Sequence, residues 1–432
     1  MDYQQSRAYV KDADRYAGGA LDLTNIKELM KRLGNPQDQL KYVHVAGTNG
    51  KGSVIAYLYT TLSEAGYRVG RYISPSVYSY REKMEVAGSA VSREQFAGYV
   101  TRVAAAIKEM TTEGLAHPTP FEIETAVAFL FFAEEKCDLV ILEVGMGGDL
   151  DATNIIKNTV LAVLVPISMD HQAFLGNTLA EITQKKAGII KPGCSVVTVG
   201  QRPETMEVIR EVCREKGADL TETDLSSAKA VKEDFAGQTL EYRGETYELS
   251  LAGSYQTENA ALALDALEVL NHKGYPTTVE QRKKGLRETK WNGRLTIIHR
   301  DPLFIVDGAH NPAAADMLED SVRKYFKGRK MYFIMGVFRD KDYSYIIRKL
   351  CPYAEQIVTI ETPHNPRALP AQELAEAVRA CNPHVQAAEN IQDAVNKVFA
   401  MAEREDLILS FGSLSFIGEI TTLVKNREEK NL

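Results

Sequence analysis

The stretch Tyr42-Val-His-Val-Ala-Gly47-Thr48-Asn49-Gly50-Lys51-Gly52-Ser53 decides the fold of this 432-residue chain. Its first half reads as a short apolar strand, its glycines as a tight turn, and residues 53–65 as a helix rich in good helix formers. A turn of this kind aims successive backbone N–H groups and a helix N-terminus at one point, and Lys51 adds a mobile positive charge. Phosphate is the natural ligand. The strict pattern G-x-x-x-x-G-K-[ST] is missed at both ends, because Val45 stands at its first glycine, Gly52 at its hydroxyl, and Ser53 arrives one residue late. An ordinary strand-to-helix turn is the plain alternative, yet the strand before, the helix after and the Lys between glycines predict a phosphate site.

Outward from this segment, short apolar runs alternate with longer amphipathic ones, the pattern of parallel strands joined by crossover helices. Strands are expected at 41–46, 69–73, 138–144, 159–166 and 194–199, and helices at 53–65, 92–111, 121–135, 178–187 and 203–217. Residues 229–251 read as a β excursion at the sheet edge, followed by helices at 256–271 and 279–288. After Lys290-Trp-Asn-Gly-Arg294 a second series begins, with strands near 295–299, 303–307, 331–336, 356–360 and 407–411 and helices at 311–326, 342–350, 370–381 and 390–403. The chain therefore divides into 1–295, which carries the phosphate loop, and 296–432, a smaller α/β domain of nucleotide-fold type, with a hinge near 290–295 and a cleft between.

Composition narrows the partners. Hydrophobic residues at 44% and charged residues at 25% argue against disordered, fibrous and membrane classes. The net charge of −7 comes with no long basic run, which disfavours nucleic acid. The longest apolar stretches, 160–165 and 126–133, fall short of the ~20 residues that span a bilayer, and Met1-Asp2-Tyr3 begins no signal peptide. Five widely spaced cysteines (Cys137, Cys194, Cys213, Cys351, Cys381) read as reduced, buried thiols. A soluble cytoplasmic protein is expected, and no coiled coil or apolar stripe demands more than a monomer.

Several polar groups fall at expected strand ends, where open α/β sheets place ligand-binding residues. Glu143 closes one strand, and Asp170-His171 follows the next. Beside a phosphate loop they suggest a Mg²⁺ site, since this ion takes oxygen ligands and keeps several waters. Lys185-Lys186 reads, without context, as a solvated basic helix end. Asp307-Gly-Ala-His310-Asn311 follows a strand, with Asn311 placed to cap a helix and Asp307 and His310 either part of a plain turn or facing the cleft. Two functions survive: an ATP-dependent enzyme with its second substrate in the cleft, or a nucleotide-driven switch.

In order along the chain, His44–Ser53, Ser74-Pro75, Glu143-Val-Gly-Met-Gly-Gly-Asp-Leu-Asp-Ala-Thr-Asn154, Asp170-His171, Lys186-Ala-Gly-Ile-Ile-Lys191, Gln256-x-x-Asn259, Trp291-x-Gly-Arg294, Asp307–Asn311 and Gly412-Ser-Leu resemble the folylpolyglutamate synthase and dihydrofolate synthase family of Mur ligases. The resemblance implies a P-loop-containing Mur-ligase-type central domain with a smaller Rossmann-like α/β C-terminal domain. It also implies a reaction in which ATP converts a pteroate or folate carboxylate into an acyl phosphate that the L-glutamate amine attacks. By resemblance, Gly47, Thr48, Asn49, Gly50, Lys51, Gly52 and Ser53 cradle the ATP phosphates, while Asn259, Arg294 and Asp307 contact the nucleotide. Ser53 and Glu143 hold one Mg²⁺; Ser74, Glu143 and His171 serve a second. Lys186 matches a lysine carbamylated by CO₂, and His310 lies near the nucleotide and the incoming glutamate. Thr119, Phe121, Leu150, Asp151 and Ala152 match segments that bind the pterin. Lys51, Lys186 and His310 are the catalytic candidates. A cell-wall ligase acting on a UDP-linked muramoyl peptide is the alternative in the same superfamily. The chain departs from the family pattern at Asp149, Lys185, Ser76, Tyr255 and Asn292, and the first two, a local charge reversal, read as mutually compensating.

Overall fold

The first sheet is built from β1 (Tyr42–Ala46), β2 (Val69–Tyr72), β3 (Met84–Val86), β4 (Ser89–Ala90), β5 (Leu139–Glu143), β6 (Thr159–Leu164), β7 (Ser195–Val199) and β8 (Asp219–Thr223). The computed structural model describes residues 1–16, 22–235, 237–363 and 365–431. The eight strands lie in the order β4-β3-β2-β5-β1-β6-β7-β8, parallel throughout except for the antiparallel edge of β3 and β4. Alternation of side chains sorts the two faces. Tyr42, Tyr72, Val140 and Leu142 pack under the helices Arg93–Thr112 and Pro120–Glu134, while Val43, Val45, Leu139, Ile141 and Val163 pack under Lys51–Glu64 and Gln256–His272. In the central register Val45 pairs with both Glu143 and Val163, so β1, β5 and β6 end side by side and their following loops emerge together.

The segment read as an edge excursion forms a sheet of its own: β9 (Lys229–Asp234), β10 (Gly237–Tyr242) and β11 (Glu245–Leu249), antiparallel in the order β11-β10-β9. The alternating sequence is the reason. Leu240, Tyr242, Tyr247 and Leu249 make one apolar face that helices cover, which an edge position on the parallel sheet would have left half exposed.

The third sheet holds β12 (Thr296–Arg300), β13 (Leu303–Val306), β14 (Met331–Met335), β15 (Gln356–Thr359), β16 (Val385–Ala387) and β17 (Leu407–Phe411), in the order β12-β13-β17-β14-β15-β16. Only β12 is antiparallel, in a hairpin with β13. The loops that follow β13 and β14 face the loops of the first sheet, and Asn49 and Asn311 hydrogen-bond across the divide at 3.2 Å.

Four α-helices, Tyr3–Asp12, Thr24–Arg32, Gln172–Leu175 and Ile417–Asn431, and the strands β3, β4, β8 and β16 were not legible in the sequence. The strands are short or polar; β8 lies at the edge of its sheet and buries only Thr223 fully. All five cysteines are unpaired, but Cys381 is exposed, not buried as expected, because it lies in the turn after the helix Ala371–Arg379. Among the described residues no helix is long and apolar enough to cross a membrane.

Candidate active site

The helix Lys51–Glu64 begins at Gly50 (φ 99°) with no side-chain cap, so the N–H groups of its first turn remain available to an anion. The glycines of the loop are needed for contact as much as for conformation. A Cβ at Gly47 would stand 2.2 Å from Cγ2 of Val165, and one at Gly52 would stand 2.1 Å from Cζ2 of Trp291. Lys51 Nζ makes only long contacts with the carbonyls of Gly47 (3.4 Å) and Thr48 (3.5 Å) and lies 3.8 Å from Glu143 Oε1. A phosphate oxygen would be a better partner than any of these.

Glu143, at the end of β5, is 6% exposed, and its Oε2 accepts from the Ser74 N–H at 3.1 Å. Burial pushes its carboxyl up, opposed by Lys51. Ser53 Oγ accepts from Gln256 Nε2 at 3.1 Å, and Gln256 in turn accepts from Asn259 Nδ2 at 3.1 Å. His171 lines the same cleft in a left-handed conformation (φ 51°), and burial holds its ring below the ordinary pKa despite the neighbouring Asp170 carboxylate. This set fits Mg²⁺: Glu143 and the Ser53 hydroxyl are hard oxygen donors beside a phosphate loop, with room for water. Among the described residues no three His, Cys, Asp or Glu side chains converge in metal-binding geometry, so an ion here depends on phosphate oxygens as well as on the protein.

Lys186 is not the solvated helix end that its local sequence suggests. It is 4% exposed and donates to the Gly47 carbonyl at 3.0 Å, while the adjacent Lys185 points outward. Burial, reinforced by the Lys51 charge, pushes its ammonium down to about 7. An amine neutral at that pH can react with CO₂, which a fully charged lysine cannot.

From the other side, Arg294 and His310 complete a cleft of about 330 Å³ that also holds Gly47–Ser53, Ser74, Glu143, His171 and Lys186. A smaller recess next to it brings Asn259, Asp307 and Tyr255 up to Asn49, Gly50 and Ser53. Asp307 is 3% exposed and accepts from the N–H groups of Leu295 (2.9 Å) and Ala309 (2.8 Å). His310 Nδ1 donates to the Gly308 carbonyl at 2.7 Å, which leaves Nε2 as the bare nitrogen; burial and the Lys341 charge push the ring down to about 4.

Thr119, Phe121, Leu150, Asp151 and Ala152 do not line this cleft. Of the five, Phe121 and Asp151 abut Gly145, which does line it: a Cβ on Gly145 would meet Phe121 Cζ at 2.7 Å and Asp151 Oδ2 at 3.2 Å. Thr119 caps its helix, Leu150 is 40% exposed and Ala152 is buried. Asp151 accepts from the N–H groups of Gly145, Met146 and Thr153 and from the Thr153 hydroxyl, which matches the capacity of an ionised carboxylate. It ties the turn that forms this wall. Two side chains, one in the cleft and one behind it, carry no signature in the motif reading. Arg71 lines the cleft from β2, and Lys341 reaches Asp170 from the loop after β14; the charged run Arg339-Asp-Lys-Asp at a strand end was the available signal for the second.

The model of the Mur ligase middle domain matches residues 45–267, and that of the Mur ligase, glutamate ligase domain matches 293–414. The dihydrofolate synthase/folylpolyglutamate synthase of Bacillus subtilis is 34% identical over 98% of this chain and 99% of its own length. The chain belongs to the folylpolyglutamate synthase and dihydrofolate synthase family of Mur ligases. Mycobacterium tuberculosis folylpolyglutamate synthase, solved with ADP and AMPPCP, superposes with a TM-score of 0.87 at 31% identity over 98% of this chain and 99% of that one. E. coli FolC in complex with DHPP and ADP gives 0.85 at 28% identity over 98% of each. The expected Mur-ligase-type α/β fold is thus the observed one, and the ligase is ATP-dependent. Of its departures from the family pattern, Asp149 and Lys185 meet in a 3.0 Å salt bridge, so the reversed charges neutralise each other.

Proposed function

We propose that this ligase joins L-glutamate to folates, and to 7,8-dihydropteroate as well, through an acyl phosphate. The observation that carries the reading is the cleft itself, in which a phosphate loop, Lys186 and Glu143 face Arg294 of the hinge and His310 beyond it. A carboxylate is a poor electrophile. Transfer of the γ-phosphoryl group to it, with ADP leaving, turns its oxygen into a leaving group; the glutamate nitrogen then bonds to the acyl carbon, the C–O bond to phosphate breaks, and the nitrogen loses a proton. Catalysis of such steps is positioning and charge neutralisation.

Residues 47–53 hold the phosphates, with Lys51 on the β and γ oxygens. Arg294 reaches the phosphates from the hinge, and Asn259 and Asp307 hold the nucleoside. Ser53 and Glu143 would hold one Mg²⁺, and Ser74, Glu143 and His171 a second; the ions would screen the phosphate charge. Lys186, its ammonium pushed down to about 7 so that much of it is the free amine at that pH, bonds through its nitrogen to CO₂ and loses a proton, which makes an anionic carbamate beside the loop. The bare Nε2 of His310, neutral in its buried setting, accepts a hydrogen bond from the incoming glutamate nitrogen and orients it. Thr119, Phe121, Leu150, Asp151 and Ala152 form the pterin end. The relatives' names, one of which couples dihydrofolate synthase with folylpolyglutamate synthase, support the dual substrate. The reading also takes 1–295 and 296–432 as the two domains of a cytoplasmic monomer.

The test is ADP release by the purified chain with dihydropteroate, tetrahydrofolate or a UDP-muramoyl peptide, each with and without L-glutamate. Glutamate-dependent ADP with both pteridines is expected. None with either would overturn the reading, and ADP with the muramoyl peptide alone would replace it.

A further inference from the structure

The two sides of the cleft are joined by four side chains, three of which (Asp170, Asn311 and Lys341) the proposed chemistry leaves unused. Asp170 closes the loop after β6, and its side chain is only 10% exposed. Its Oδ1 accepts from Lys341 Nζ at 2.8 Å and its Oδ2 from Asn311 Nδ2 at 3.2 Å. Asn311 also trades two amide hydrogen bonds with Asn49 of the phosphate loop, while its Oδ1 caps the helix Pro312–Tyr325. Its amide is thereby fully used. Lys341, 8% exposed, has no other ion-pair partner among the described residues.

A charge-assisted bond this dry is strong while it is made and costly to open, since parting leaves two charges short of partners. Asp170 lines the cleft and Lys341 does not. Lys341 therefore acts through Asp170, and the chain Lys341–Asp170–Asn311–Asn49 fixes the loops after β13 and β14 to the phosphate loop.

We infer that Lys341 is a positioning residue for the ligation step, holding the glutamate side of the cleft in register over the acyl phosphate and keeping water from it. The inference rests on the acyl-phosphate reading above. Its consequence is a partition. In the closed cleft the amine nitrogen bonds to the acyl carbon and phosphate leaves. In a cleft that opens too readily, a water oxygen bonds to that carbon, the C–O bond to phosphate breaks, a proton is released and the original carboxylic acid is regenerated; the sum is ATP plus water giving ADP and phosphate.

The experiment measures ADP and amide product together with ATP, tetrahydrofolate and saturating L-glutamate in H₂¹⁸O. The wild-type chain should give one amide per ADP. Lys341→Met should raise the ADP-to-amide ratio at least threefold and put ¹⁸O into the recovered substrate carboxylate, and Lys341→Arg, which keeps the ion pair, should restore most of the coupling. A folded Lys341→Met that is slower yet fully coupled would overturn the inference. If Lys341→Met does not fold, hydrogen exchange on the wild-type chain decides: residues 338–342 and 168–172 should gain protection together when an ATP analogue binds, and independent protection would overturn it. That arm needs no pteridine. Failure of the substrate reading, seen as wild-type chain without glutamate-dependent ADP, is therefore distinct from failure of the role given to Lys341.

Discussion

The ammonium nitrogen of Lys186 lies 3.0 Å from the carbonyl oxygen of Gly47, the residue with which the phosphate loop opens. A lysine held there at about 7 instead of 10.5 carries a proton in the unfolded chain that it lacks when folded, throughout the interval between those values. The unfolded state binds more protons, so the contribution of Lys186 to stability improves as pH rises across that window and its penalty is complete below it. Lys186→Met should therefore stabilise the chain at pH 6.5 in CO₂-free buffer, with the gain shrinking towards pH 10, as read by urea denaturation. Lys186→Ala should lose ligation, and added CO₂ should not restore it. Near-normal turnover would return Lys186 to a purely structural role.

Lys51 is the simplest test of the phosphate loop. Its ammonium has only long carbonyl contacts and a carboxylate at 3.8 Å, so little in the folded chain depends on it. Lys51→Ala should leave the melting temperature close to that of the wild type and slow single-turnover ADP formation by about 100-fold or more, the scale seen when one preorganised electrostatic stabiliser is removed. A loss of less than tenfold would exclude Lys51 from phosphate binding.

The parts of the fold that could be read ahead share one physical feature, a strong local pattern. β1, β5 and β17 are buried along their whole length, and such runs stand out in any sequence. β8 and the helix Thr24–Arg32 escaped because their polar residues hide the few that are buried. The candidate site divides in the same way. Gly47–Ser53, Glu143 and Asp307 sit at strand ends, where topology announces them. The burial of Lys186 could not be read locally, because what covers it, Gly47, lies 139 residues away. Lys341 and Arg71 are likewise defined by partners brought in from elsewhere in the chain, Asp170 of the loop after β6 for one, and Glu85 of β3 with Trp291 of the hinge for the other.

Asp149 and Lys185 offer a test of compensation. The pair is partly exposed, with side chains at 33% and 41%, so its net worth is small. A double-mutant cycle with Asp149→Ala and Lys185→Ala, followed by thermal unfolding, should give a coupling of about 0.5 kcal/mol, inside the range for exposed pairs. The exchanged pair, Asp149→Lys with Lys185→Asp, should retain ligase activity, whereas Asp149→Lys alone places two like charges together and should raise KM for the pteridine substrate.

Trp291 is the chain's single tryptophan, and it rests on Gly52, so one fluorophore reports on the phosphate loop. The fit leaves no slack: a methyl at Gly52 would stand 2.1 Å from Cζ2 and 2.5 Å from Cε2, and both atoms belong to a rigid ring. The ring cannot yield by a rotamer change of its far end, so either the loop or the whole indole must move. Arg71 holds the indole from another side, its guanidinium 5.6 Å from the ring, and Trp291 lines the cleft. Gly52→Ala should therefore push Trp291 towards solvent and shift its emission to longer wavelength. The same variant should weaken binding of an ATP analogue by at least tenfold, since the helix N-terminus that faces the phosphates moves with the loop. In the wild-type chain, the analogue should change tryptophan emission on binding. A Gly52→Ala chain with unchanged emission and unchanged nucleotide affinity would show that the indole and the loop are not in the contact described.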